Sequence, residues 1–146
     1  MLATLLFALA AAAQPALCTL PDGATITLEL ALTEDERGAG LMFRDYLAPD
    51  RGMFFVFDEQ DRWPFWMKNT FIPLDIVWLS GDGTIVDVRA GAEPCRSDPC
   101  PSYLPSDKAW AVLEINAGLA AKHGLKAGQR VRTVGVPKFP VAGDAK

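Results

Sequence analysis

The chain has 146 residues, half of them apolar and 22% charged, with a net charge of −4 at pH 7. That is the length and composition of one globular domain, not of a disordered segment. The acidic balance lacks the dominant basic footprint of a nucleic-acid binder. One histidine, His123, excludes paired-histidine zinc motifs. No phosphate-binding loop and no dinucleotide fingerprint occurs, so the sequence calls for no metal and no cofactor.

In chain order, Leu2 to Ala13 is uncharged and almost wholly apolar. It is too short to cross a bilayer, which needs about 20 residues. With Ala11-Ala12-Ala13 as a small-residue cleavage site, residues 1–18 read as a secretory signal peptide cut near residue 13 or 18. The expected product is periplasmic or secreted, with no stable transmembrane segment after cleavage. Residues 19–136 are expected to form a single domain and residues 137–146 a flexible tail. An exported chain meets an oxidising compartment, so Cys95 and Cys100 are expected to pair in a local disulfide.

Thr25 to Leu32 alternates apolar and polar residues and predicts a half-buried strand. Thr33-Glu34-Asp35-Glu36 predicts a capping box that opens a helix to about Met42, with Gly38 and Gly40 read as close-packing positions. Gly52 to Phe57 reads as a strand, Asp58 to Arg62 as a polar loop, and Phe65 to Ile72 as extended. Leu74 to Leu79 and Thr84 to Arg89 form a hairpin about Gly81-Asp82-Gly83. Ala109 to Ile115 is a strand, and Asn116 is expected to cap a second short helix ending at Gly124. Gln129 to Val134 is the last strand. These elements predict a mainly β domain, α+β by strict count: a barrel- or sandwich-like sheet with two short helices.

Charge is uneven. Residues 22–61 carry ten acids and three bases, whereas residues 122–138 carry five bases and no acid. Period-two phasing also sets charges among apolar neighbours. Lys68 shares a face with Trp66, Asp75 with Val77 and Leu79, and Glu114 with Trp110 and Val112. Unpaired buried charges cost several kcal/mol. Lys68, Asp75 and Glu114 are therefore expected to find partners, with Arg44 a fourth candidate. They form either an ion-pair network that fixes the fold or a polar cluster on the floor of a cleft. His123 is expected at a helix C-terminus, and no nucleophile elbow accompanies it.

The segments Gly40-Leu41-Met42-Phe43-Arg44, Gly52-Met53-Phe54-Phe55-Val56-Phe57, Phe65-Trp66-Met67-Lys68-Asn69-Thr70, Ile72-Pro73-Leu74-Asp75-Ile76, Cys100-Pro101-Ser102-Tyr103 and Val112-Leu113-Glu114-Ile115-Asn116-Ala117-Gly118 stand in order, behind Arg37. Together they resemble the family of domain of unknown function 192 over about residues 25–134. The resemblance implies small bacterial and archaeal proteins, often exported, with a compact mainly β fold and no agreed activity. It includes positions matching Arg44, Lys68, Asn69, Asp75 and Glu114.

The candidate site is therefore Arg44, Trp66, Lys68, Asn69, Asp75 and Glu114, within an aromatic stretch from Trp63. Three functions are open. The first is binding of a small molecule, glycan or protein partner in the cell envelope. The second is a hydrolase or lyase on an envelope polymer, using the Lys/Asp/Glu cluster. The third is a structural or assembly protein with no pocket.

Overall fold

A computed structural model describes residues 12–141. The expected signal run lies outside the described residues except for its last two positions. Nine strands and two helices follow in order: β1 (Leu17–Thr19), β2 (Thr25–Ala31), α1 (Glu34–Ala39), β3 (Arg51–Asp61), β4 (Phe65–Trp66), β5 (Leu74–Leu79), β6 (Ile85–Ala92), β7 (Ser102–Tyr103), β8 (Ala109–Asn116), α2 (Leu119–Lys122) and β9 (Arg132–Val134). Seven strands form one mixed sheet in the order β6-β5-β8-β3-β2-β1-β9, and β4 pairs with β7 in a small second sheet. The large sheet curls until Thr84 bridges Arg130, and does not close. The mainly β reading holds in its sandwich-like form.

Both faces of the large sheet are covered, which explains the unbroken burial of β5. Inside the curl lie Cys18, Ile26, Leu28, Phe54, Val56, Val77, Leu79, Leu113 and Ile115, with Phe139 edge-on to Phe54. On the other face Met53, Phe55, Ile76, Trp78 and Val112 pack beneath the small sheet, with Phe65 edge-on to Phe55 and Trp78. Adjacent residues of one strand therefore serve two separate cores.

Several boundaries differ from the sequence reading. β3 runs through the polar segment to Asp61, which pairs with Ala109 after a register shift beyond Val56. A charged strand end carries no apolar signal, so it reads as a loop. Phe65 to Ile72 is extended only at β4. Thr70 N donates to Met67 O and Asn69 takes a left-handed φ of 55°, which makes a turn. α1 stops at Ala39, short of Met42. Asn116 does not cap α2; its amide donates to Leu47 and Ala48 carbonyls, while Gly118 occupies the cap position. The chain beyond Pro137 is not loose as far as it is described, because Phe139 is buried and Val141 N donates to Gly81 O.

Other expectations hold. Thr33 and Glu36 form the capping box. Cys95 and Cys100 are joined in a disulfide with a Cα–Cα distance of 5.7 Å. Of the basic C-terminal segment, Lys138 meets Asp58 of the acidic segment, and Arg130 meets Asp82 of the hairpin turn. His123, at the end of α2, meets Asp22 through its ring nitrogen.

Candidate functional site

α1 contains no buried residue. Its sequence, Glu-Asp-Glu-Arg-Gly-Ala, has no apolar stripe to seat on the sheet. The helix is held by its capping box and by Arg37, whose guanidinium donates to Leu32 O at 2.7 Å and Val56 O at 2.9 Å. Between α1, β3 and β4 lies a cleft of about 620 Å³, within the size range of small-molecule sites. Gly38, Ala39 and Gly40 form its helix side. A Cβ on Gly38 would meet nothing within 4 Å. Gly38 thus leaves room where the sequence suggested close packing, whereas Gly40 does pack closely against the Phe55 ring.

The opposite wall is aromatic. Phe57 and Trp63 stack with centroids 4.1 Å apart and planes 9° apart, and Arg37 lies over Phe57 at 5.1 Å. Phe65 packs edge-on to Phe57. Trp66, 46% exposed, stands at the same cleft. Phe57, Trp63 and Phe65 are placed by consecutive elements, the end of β3 and the start of β4, and the disulfide braces the segment that follows. Cys95 N donates to Met67 O, and Lys68 bridges Cys95 in the backbone.

Glu114 lies on the floor. It sits in the middle of β8, opposite Met53 of β3 and Ile76 of β5. It is 5% exposed and lines the cleft. Among the described residues its carboxyl has no hydrogen-bond or ion-pair partner. Desolvation by burial pushes its pKa up to about 8. At neutral pH it is mainly a neutral acid, able both to donate and to accept a hydrogen bond.

The other candidates do not converge on it. Asp75 is fully buried on the opposite face of the sheet, where its carboxylate accepts from Gly91 N and Ala120 N, both at 2.8 Å. It supplies the N-terminus of α2 with an acceptor from a neighbouring strand. Arg44 pairs with Glu29 at 2.7 Å, and that guanidinium holds the Glu29 carboxyl below its usual range. Lys68 pairs with Asp98 at 3.2 Å and lies 5.5 Å over the Trp66 ring. Asn69 serves the turn, its carbonyl accepting from Phe43 N. The expected Lys/Asp/Glu cluster therefore does not form, because a sheet separates its two carboxylates. The expected mutual ion-pair network does not form either. Trp66 and Glu114 share the cleft, with Lys68 at the edge of Trp66. Sequence phasing did not single out Arg37, Phe57, Gly38 or Thr70 for the site. Only a fold that lifts α1 off the sheet brings them to Glu114.

The fold and cleft define a curled mixed sheet with an aromatic, acid-floored cavity on one face. The chain belongs to the family DUF192, described as an uncharacterized ACR, whose model matches residues 17–133. Two solved structures are similar to it. A Sinorhizobium meliloti protein described as a candidate transcription regulator is 36% identical, with a TM-score of 0.71 over 83% of this chain and 93% of that one. A Novosphingobium aromaticivorans protein of unknown function is 39% identical, with a TM-score of 0.70 over 81% of this chain and 83% of that one. No curated protein matches.

Proposed function

We propose that this protein is an exported binding domain that holds a small, largely apolar molecule in the α1–β3–β4 cleft. The observation that carries the reading is Glu114: a buried carboxyl without a partner on the floor of an aromatic cavity. Evolution rarely leaves a buried polar group unsatisfied unless something else satisfies it. A ligand bearing a polar end and an apolar body fits both the floor and the walls.

Export is supported by the apolar run at the N-terminus and by the Cys95–Cys100 disulfide. Cys18 is wholly buried, and Leu17–Thr19 pairs with both β2 and β9. Cleavage near Ala13 keeps β1 intact, whereas cleavage after Cys18 removes two of its three residues. Mass spectrometry of the exported protein is expected to find Gln14 at the N-terminus.

A hydrolase or lyase using Lys68, Asp75 and Glu114 together finds no support in the geometry. A role without a pocket is disfavoured by a 620 Å³ cleft. The net charge of −4 and the acidic cleft likewise lend no support to nucleic-acid binding.

The test uses the neutral apolar dye N-phenyl-1-naphthylamine. Wild type is expected to raise its fluorescence saturably. Gly38→Trp, which sets a large ring on the helix side of the cleft, is expected to abolish the effect while leaving the circular-dichroism spectrum unchanged and the melting temperature no lower. Equal dye binding by a folded Gly38→Trp variant would place the dye elsewhere and overturn the reading.

A further inference from the structure

We infer that the natural occupant of the cleft is an organic cation: an ammonium group carried on an apolar body, its charge facing Glu114 and its body against the aromatic wall. The inference rests on the binding reading above and names the ligand class.

The cleft lining carries more carboxylates than cations, and several of its donors are already engaged. Arg37 is held by two carbonyls and lies 4.0 Å from Asp58. The Trp63 indole donates to Glu59 O, and the Thr70 hydroxyl donates to Lys68 O. An anionic ligand would meet the charge of Arg37 but also the carboxylates of Glu34, Asp58 and Glu59. Asp58 is shared by Arg37 and Lys138. Glu34 and Glu59 have no ion-pair partner among the described residues and line the same cleft as Glu114. The cleft lining therefore carries excess negative charge even while Glu114 is neutral.

The rings complete the match. Aromatic faces attract cations, more strongly when water is excluded. Two rings of this wall already carry cations of the chain, Arg37 over Phe57 and Lys68 over Trp66. The charged groups around the cleft are Glu34 and Arg37 on α1 and Asp58 and Glu59 on β3, with Lys68 at its edge paired to Asp98 and Lys138 paired to Asp58. The flanking strands set only Met53 and Ile76 beside Glu114, and Asp75 is shielded behind the sheet. An arriving ammonium makes the ionised form of Glu114 favourable, and the carboxyl proton leaves to solvent.

The experiment is isothermal titration of the full-length mature protein with benzyltrimethylammonium, benzyl alcohol and phenylacetate, in buffers of different ionisation enthalpy. The ammonium compound is expected to bind at least tenfold more tightly than the other two. Its binding is expected to release close to one proton per site at pH 7. Because Glu114 must first ionise, affinity should rise about tenfold per pH unit from pH 6 towards 8 and then level off. Glu114→Gln should lose both the pH dependence and the proton release. Equal binding of all three compounds, or tighter binding of phenylacetate, overturns the cation assignment and leaves the dye-binding cleft standing. The same holds if the dye binds and none of the three compounds does. Failure of the dye and of all three compounds overturns both readings.

Discussion

Asp75 and Glu114 stand on neighbouring antiparallel strands, one register position out of step, so Asp75 faces Ile115 across the ladder and Glu114 faces Ile76. Because side chains alternate, the two carboxylates leave opposite faces of one sheet. Each then has its own task. Asp75 meets two backbone amides at α2 and β6, and Glu114 meets the cleft.

Asp75 is therefore expected to matter for stability and not for binding. Asp75→Ala strands the buried Ala120 N–H and the part-buried Gly91 N–H and should cost about 2–3 kcal/mol in urea denaturation. Asp75→Asn keeps one acceptor oxygen and should cost less. Dye affinity of the folded fraction should be unchanged in both. A loss of dye binding without a loss of stability would contradict this division of roles.

Glu114 makes stability depend on pH with the opposite sign to an ordinary salt-bridged acid. Its folded pKa is raised from 4.5 to about 8. Between those values the folded chain holds a proton that the unfolded chain has released. Stability should then fall with rising pH by up to about 1.4 kcal/mol per unit across that window. Four acids are lowered: Asp22 by the Ala24 amide, Glu29 by Arg44, Glu36 by the Leu32 amide and Asp82 by the Ser80 hydroxyl. Their contributions are present above the usual carboxylate range and are lost as pH falls below it, outside the window. Urea midpoints at pH 5 and pH 8 should diverge for wild type and converge for Glu114→Gln.

The glycines of α1 separate backbone strain from space. Gly38→Ala meets nothing and should stabilise the helix by up to about 1 kcal/mol. Gly40 has a φ of 47° and lies 3.5 Å, measured from a built Cβ, from the Phe55 ring. Gly40→Ala should destabilise by about 1–3 kcal/mol. Thermal melts of the two variants should therefore shift in opposite directions.

The Cys95–Cys100 bridge closes a short loop and should contribute about 2 kcal/mol on the chain-entropy model. It also holds the turn after Trp66 through the Cys95–Met67 hydrogen bond. Reduction should lower the melting temperature and weaken dye binding together. A reduced protein with unaltered dye affinity would show that the bridge does not support the cleft.

Much of the fold was legible in the sequence because its signals are local. Thr33 and Glu36 announce a helix start, Gly81-Asp82-Gly83 a hairpin, and the apolar run Leu74–Leu79 a buried strand. Asp75 and Glu114 were also legible as misplaced charges. Their separation was not, because it depends on the register between β5 and β8, which neither strand encodes alone. The polar end of β3 was lost for want of an apolar signal. The cleft was hidden for a different reason. It exists because α1 lacks an apolar face and stands off the sheet on its capping box and Arg37, and an absence of packing leaves no period to read.

The most direct measurement is a carbon-13 NMR titration of the Glu114 carboxyl, with and without benzyltrimethylammonium. The free protein is expected to titrate near pH 8, and the bound protein at least about two units lower as the ligand's charge stabilises the carboxylate. A Glu114 that titrates near 4.5, and does not move when the ligand is added, would contradict the account.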